Sequence, residues 1–164
     1  MNKLLLALVS IAHFLPHPFG VSPIGAMALY AGATGPKFTA WLVPLAPLFV
    51  GHLLTGFFDP VVMVFVYGGF ALCALVGRLL LSSQRSWHRY AAAVVVQALV
   101  FFLVSNFSIW LVGMYPATLA GLIQCYVNGL PFFGQAILVD AAYCFVLFGL
   151  HAVLERDRST LVAV

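Results

Sequence analysis

The sequence predicts an all-α membrane protein, a bundle of six transmembrane helices with a short outer loop helix between the fifth and the sixth. Of the 164 residues, 64 % are hydrophobic and only 7 % are charged, whereas a soluble domain carries about 25 % charged residues. So few charges could not cover a surface that faces water. Several apolar segments approach the roughly 20 residues that a helix needs to cross the hydrocarbon layer, and the alternating pattern of a membrane β-barrel is absent. We therefore treat residues 1–164 as one transmembrane domain.

The first half of the chain predicts three helices, at about 3–15, 24–33 and 38–57. The first resembles a signal peptide, but a candidate cleavage site at 31–33 lies well beyond its end, so we expect a retained helix. Three prolines between residues 16 and 23 forbid a continuous helix there. Residues 34–37 form a turn, and Pro44 and Pro47 are expected to bend the third helix.

The second half predicts helices at about 61–81, 90–112 and 133–154. The segment from 113 to 132 between the last two is mostly apolar but holds two prolines and several polar side chains. It is either a seventh span or a short helix, at about 117–128, that dips into the bundle and returns.

The basic residues favour six spans, because cytoplasmic loops carry the excess of Lys and Arg. With six spans and a cytoplasmic N-terminus, the inner side holds every basic residue: Lys3, Lys37, Arg78, Arg85, Arg89, Arg156 and Arg158. A seventh span would move the last two outside. We therefore expect both termini in the cytoplasm. The bend at 16–23 and the segment at 115–131 then both lie on the outer side, where they describe the mouth of a pocket.

Several function classes are excluded by what the sequence lacks. The basic residues form no patch that could neutralise several phosphates, so we expect no nucleic-acid partner. No nucleotide-binding loop, HExxH or GxSxG motif is present, so we expect neither an enzyme nor a cofactor. His13 and His17 have metal-like spacing, but Pro16 lies between them and no third ligand is obvious, so no metal site is expected.

Asp140 is the strongest candidate for a functional residue, because it lies inside the predicted sixth helix. A charge at that depth costs about 3 kcal/mol, so such residues usually face the bundle interior and belong to a site. Two interpretations stay open: Asp140 contacts a ligand, or it fixes one helix to another by hydrogen bonds.

Other candidate ligand-binding residues lie toward the predicted outer side: Asn106, Trp110, Tyr115, Tyr126, Asn128 and His17. Amides, phenols and imidazoles there could donate hydrogen bonds to a solute, and aromatic rings could stack on it. The alternative is structural: aromatic residues gather at the membrane interface, and amides hydrogen-bond between helices.

Two groups of residues carry a resemblance to a known family. The run from Leu15 to Tyr30 resembles the start of the DUF6580 family, a bacterial family of unknown function whose members are described as transport proteins. The second group resembles its other signature: residues 105–110, 115–116, 121–122, 125–126, 130–133 and Asp140. The resemblance covers nearly the whole chain and implies a multi-pass protein of the bacterial cytoplasmic (inner) membrane. In this family, an aspartate often stands at the position of His52, so the pocket chemistry here is expected to differ.

More distantly, the layout is similar to the substrate-binding (S) components of energy-coupling-factor vitamin transporters. That resemblance implies six helices, cytoplasmic termini and a pocket closed from the outside by loops. S components dock on a partner through small residues of the first helix, whereas this chain has no clean Ala-xxx-Ala there, so docking on a shared energising module is in doubt.

These observations predict a transport or substrate-binding component for a small organic solute, vitamin-like or otherwise. Its expected partners are the lipid bilayer, the solute and an energising or other membrane subunit. The alternative, from another class, is a non-transporting accessory or structural subunit of a larger membrane complex.

Overall fold

The computed structural model describes residues 3–14, 22–37, 39–56, 59–83 and 86–162, and this part of the chain is helical without a β-strand. It contains six α-helices and one short 3₁₀ turn at Ala40–Leu42. The α-helices are α1 (Lys3–Phe14), α2 (Ile24–Thr34), α3 (Leu45–Thr55), α4 (Pro60–Leu81), α5 (Trp87–Leu111) and α6 (Leu119–Val162).

Three of the described helices are long and apolar enough to cross a membrane, namely α4, α5 and the Leu119–Arg156 part of α6. The other three have 11 or 12 residues each, which corresponds to about 16–18 Å at 1.5 Å per residue. A hydrocarbon layer is about 30 Å thick. The chain therefore has the character of a membrane protein, and its N-terminal third is built from helices that are shorter than a full span.

One continuous helix, α6, covers both the predicted loop helix at 117–128 and the predicted sixth helix at 133–154. The prediction of a separate loop helix was therefore wrong. Pro131 lies inside α6 without ending it. Proline removes one backbone hydrogen bond, but helices in a membrane tolerate it where neighbouring groups satisfy the freed carbonyl. The first turns of α6 also pack on α5, where Tyr126 Oη donates to Leu103 O at 2.8 Å.

The predicted third helix at 38–57 is also divided, into the 3₁₀ turn and α3. Pro44 is the residue that precedes α3, and Pro47 lies in its first turn, where backbone N–H groups have no partner within the helix and proline costs little. The helix ends at Gly56, whose φ of 70° is the left-handed conformation that favours glycine. The prolines therefore set where this helix begins.

The helices α4, α5 and α6 pack consecutively as antiparallel neighbours. Asp59 caps the start of α4 by accepting hydrogen bonds from the backbone N–H groups of Val61 and Val62, each at 3.0 Å. At the other end of α4, the Arg89 guanidinium donates to Leu80 O at 3.1 Å. This contact ties the end of α4 to the start of α5.

The helix α2 is the centre of the molecule, since every residue from Ile24 to Ala33 is buried. It contacts α4 at close range through two glycines. A Cβ atom on Gly32 would overlap the carbonyl of Ala74, and one on Gly77 would overlap the carbonyl of Leu29. Small residues that let backbones approach are typical of membrane helices. This packing brings the N-terminus of α2 against α6.

Candidate functional site

Asp140 lies in the middle of α6 and is buried, with 6 % of its surface exposed. Its Oδ1 accepts a hydrogen bond from the backbone N–H of Ala26 at 3.0 Å. Its Oδ2 accepts a hydrogen bond from the side-chain Nε2 of Gln97 on α5. One carboxylate therefore joins three helices, α2, α5 and α6.

The contact with Ala26 makes Asp140 a cap for α2 from another helix. The first N–H groups of a helix have no partner within it, and Pro23, which precedes α2, supplies no side-chain cap. Ser22 Oγ lies 3.4 Å from the N–H of Ile24. The N-terminus of a helix carries about half a positive charge, so α2 both hydrogen-bonds and electrostatically stabilises the carboxylate. This interaction accounts for an acidic side chain inside a long apolar helix.

Glycine is needed where α2 meets the carboxylate. A Cβ atom on Gly25 would lie 2.5 Å from Oδ2 and 2.6 Å from Oδ1 of Asp140, closer than real Cβ contacts. The absence of a side chain lets the start of α2 approach α6 directly.

A small cavity of about 90 Å³ adjoins this cluster. Its lining combines polar groups with aromatic and aliphatic side chains: Ser22, Gly25, Phe70, Gln97, Ala98, Phe101, Ala136, Val139 and Asp140. The rings of Phe70 and Phe101 stack with their centroids 4.3 Å apart. The side-chain oxygen of Gln97 has no hydrogen-bond partner in the described part of the chain, although the residue is only 1 % exposed. A buried amide oxygen without a partner is costly, so this cavity has an unused acceptor.

The predicted outer residues lie around the turn between α5 and α6 and bond within the chain. Asn106 Nδ2 donates to Phe102 O at 2.9 Å, one turn earlier on α5. Trp110 Nε1 donates to Pro116 O at 3.0 Å across the turn. Tyr126 Oη, as noted above, donates to the backbone of α5. These contacts hold the end of α5 against the start of α6.

Tyr115 and Asn128 also contact each other, with Asn128 Nδ2 donating to Tyr115 Oη at 3.3 Å. Both belong to the same end of the molecule as Asn106 and Trp110, and Asp140 lies about three turns further along α6. The structure therefore separates the predicted site into an outer group around the α5–α6 turn and the buried carboxylate. His17 lies outside the described residues, as does the predicted bend except for Ser22 and Pro23.

Sequence reasoning placed the bend that contains Ser22 at the mouth of a pocket, but it missed Gln97 and Gly25 as members of the site. A usable signal existed, because Gln97 and Asp140 are each the deepest polar residue of their helix. If two adjacent antiparallel helices are aligned at their deepest polar residues, Gln97 and Asp140 are expected to be in contact.

A second polar chain, which runs from the buried Tyr30 and His151 to the exposed Glu155, links α2 with α6. Tyr30 Oη lies 3.0 Å from His151 Nδ1, and His151 Nε2 lies 3.0 Å from Glu155 Oε1. The Tyr30 hydroxyl and His151 Nδ1 are within hydrogen-bond distance, and His151 Nε2 faces the Glu155 carboxylate one turn further along α6. This chain fixes the second half of α2, as Asp140 fixes its start.

A larger cavity, a groove of about 600 Å³, lies between α5 and α6, and its lining includes neither Asp140 nor any of the outer residues. Its lining is almost wholly apolar: Trp87, Tyr90, Ala91, Val94, Val95, Ile137, Ala141, Cys144, Phe145, Phe148, Gly149 and Ala152. Phe145 within it is 83 % exposed. The groove therefore suits hydrocarbon or an apolar partner surface rather than a polar solute.

Comparison with known proteins identifies a family but no characterised relative. The model of a family of unknown function, DUF6580, matches residues 2–161, almost the whole chain. No curated protein matches the chain, and no solved structure matches it either.

Proposed function

We propose that this chain, which belongs to the DUF6580 family, is a membrane transport component that binds a small organic solute, vitamin-like or of another class. The observation that carries the proposal is the buried N-terminus of α2, which meets Asp140 and Gln97 beside a cavity. The solute site of this proposal is that cavity, and the outer residues predicted from sequence hold the α5–α6 turn beyond it.

A helix that starts inside a membrane bundle leaves its first backbone N–H groups without partners away from water, which costs free energy that a continuous helix avoids. Backbone that is not helical is tolerated at that depth only where protein buries it or a cavity adjoins it. Transporters use such interrupted helices at their binding sites, with the helix N-terminus directed at negative charge. Here α2 starts after Ser22 and Pro23, and its first turn meets the Asp140 carboxylate.

The cavity lining favours a solute that carries N–H or O–H donors. The oxygen of Gln97 is an unused acceptor, and Asp140 has lone pairs beyond the two bonds it makes. The stacked rings of Phe70 and Phe101 give the cavity an aromatic wall. A volume of about 90 Å³ holds only about three water molecules, whereas organic ligands occupy several hundred Å³. Binding therefore requires α2 and α6 to separate at this point.

The proposal includes six membrane crossings with both termini in the cytoplasm of a bacterial cell and a location in its inner membrane. Supporting it, Lys37, Arg78, Arg89 and Arg156 all lie toward the end of the molecule where α4 and α6 end and α5 begins. Excess positive charge marks the cytoplasmic side. The short helices α1, α2 and α3 would make the additional crossings within the bundle, and an energising membrane subunit is part of this proposal.

The test is a thermal-shift screen of detergent-purified protein against vitamins, nucleobases and metal ions, followed by affinity measurements on variants. Gln97→Met removes the unused acceptor, so we expect about tenfold weaker binding of a hit, the effect of one lost hydrogen bond. Asn106→Ala is the control, because its amide donates to its own helix. A hit that binds Gln97→Met as tightly as the native protein contradicts the site, and a screen without hits contradicts the solute-binding function.

A second candidate function, an accessory subunit of a larger membrane complex, is favoured by the apolar groove between α5 and α6. The outer candidate residues bond within the chain, as a structural subunit would require. A Cβ atom on Gly149 would meet no heavy atom within 4 Å, so Gly149→Phe fills the groove without disturbing the core. Loss of a stable membrane complex on native gels in that variant, together with a screen without hits, would favour this function.

A further inference from the structure

A third cavity, separate from the Asp140 cluster, lies between α2, α4 and the 3₁₀ turn and has a volume of about 240 Å³. Its lining has two basic side chains, Lys37 and Arg78, and the rest is a tryptophan and small or aliphatic residues: Gly32, Ala40, Trp41, Gly68, Ala71, Leu72, Ala74 and Leu75. The cavity is thus cationic at one end and apolar along the remainder.

The basic end has no local counter-charge among the described residues that line the cavity. Arg78 Nη2 donates to Gly35 O at 2.7 Å, which fixes the guanidinium in place. A guanidinium has five N–H donors, so most of them stay available to an anion. Lys37 is exposed beside it. Two cations in one cavity attract a ligand with at least one negative charge.

The apolar wall of the cavity lies on the face of α4 from Gly68 to Leu75, and with Arg78 at its end this face is about as long as one hydrocarbon leaflet of a bilayer. Gly68, Ala71, Leu72 and Leu75 lie three or four residues apart and therefore share one face of α4 with Arg78. From Gly68 to Arg78 the helix rises about 15 Å, and one leaflet of a hydrocarbon layer of about 30 Å is equally long. Leu72 and Leu75 are about half exposed, so this face is open to a lipid chain.

We propose that this cavity is a binding site for an anionic phospholipid. The phosphate contacts Lys37 and Arg78, and one acyl chain lies along the face of α4 from Leu75 to Gly68. Trp41 also lines the cavity, and aromatic side chains favour the membrane interface. Basic pockets on the cytoplasmic side of membrane helices are typical sites for anionic lipid head groups. The proposal requires only that α4 crosses a bilayer, and it stands independently of the solute site.

The test measures which phospholipid stays bound to the purified full-length protein by native mass spectrometry, after incubation with phosphatidylglycerol or phosphatidylcholine in mild detergent. We expect one phosphatidylglycerol to be retained in preference to phosphatidylcholine. Lys37→Gln should weaken its retention about fivefold, as expected for one basic residue near an anionic group.

Gly68→Phe tests the acyl-chain part of the site, because a Cβ atom there meets no heavy atom within 4 Å and the ring would occupy the apolar wall. Gly134→Phe is the matched control, since Gly134 is equally open, is also inside a helix and lies outside the cavity. We expect loss of the bound lipid in the first variant and retention in the second. Equal retention of the two lipids by the native protein, or retention unchanged by Gly68→Phe, overturns the proposal. So does displacement of the lipid by millimolar inorganic phosphate, which would make this a site for a free anion.

Discussion

Replacement of Asp140 tests whether the carboxylate is the cap that holds α2 in place. In Asp140→Ala, the N–H of Ala26 and the amide of Gln97 both lose their acceptor while buried. Each unsatisfied buried polar group costs about 1–3 kcal/mol, so we expect the variant to be less stable by about 4 kcal/mol. In Asp140→Asn, one side-chain oxygen can still accept from Ala26, and Gln97 can rotate its amide to accept from the new Nδ2. Only the interaction of charge with the helix N-terminus is lost, which costs about 1 kcal/mol.

Thermal unfolding in detergent, followed by tryptophan fluorescence, measures this difference. For a chain of this length, 1 kcal/mol shifts Tm by about 2–4 °C, so we expect Asp140→Ala to unfold about 10 °C lower and Asp140→Asn about 3 °C lower. A double-mutant cycle with Gln97→Leu isolates the pair, because residues in contact give non-additive effects. The reasoning is refuted if the alanine variant is as stable as the asparagine variant. It is also refuted if the stability changes of Asp140→Ala and Gln97→Leu are additive in the double mutant.

Three further substitutions follow from the packing. Gly25→Ala places a methyl group against the carboxylate and should cost about 1–3 kcal/mol, whereas Gly149→Ala, in open space on α6, should be neutral or slightly stabilising; equal Tm values for these two would contradict the close approach. Gly77→Ala drives a methyl group into a backbone carbonyl of α2, so its Tm should fall further than that of Gly25→Ala. Trp110→Phe loses only the hydrogen bond to Pro116 and should lower stability by about 1 kcal/mol, and unchanged unfolding would show that this bond does not hold the turn.

The long apolar helices were predictable because their bounds follow from the lengths of the apolar runs in the sequence. The predicted helix at 61–81 corresponds to Pro60–Leu81, and the one at 90–112 corresponds to Trp87–Leu111. Near Pro131 the same reasoning was wrong, because two prolines and several polar side chains between residues 113 and 132 suggested a separate short helix. The residues from Leu119 onward instead lie on a continuous helix whose first turns pack on α5, and only the tertiary contact decides between the two.

The candidate site was predictable in part. Burying a charged group in an apolar helix costs free energy, so a lone aspartate there could be singled out as Asp140 was. Both interpretations expected it to face the bundle interior, in contact with either a ligand or a neighbouring helix. Its partners could not be named, because Ala26 contributes a backbone N–H that no side-chain pattern reveals. The complete burial of α2 was equally hidden, since an apolar segment that faces lipid has the same composition as one surrounded by protein.

The capping of α2 by α6 has a consequence for the order in which the chain assembles. Ala26 and Asp140 are 114 residues apart in sequence, so α2 leaves the ribosome long before its cap exists. Until α6 is made, the first N–H groups of α2 must be hydrated or held by the insertion machinery, because lipid offers them no acceptor. A nascent chain released before residue 140 therefore leaves the first turn of α2 without its carboxylate cap. The helix α6 thus completes the contacts of the buried helix α2, so a chain cut before residue 140 should lose more stability than the position of the cut in the sequence suggests.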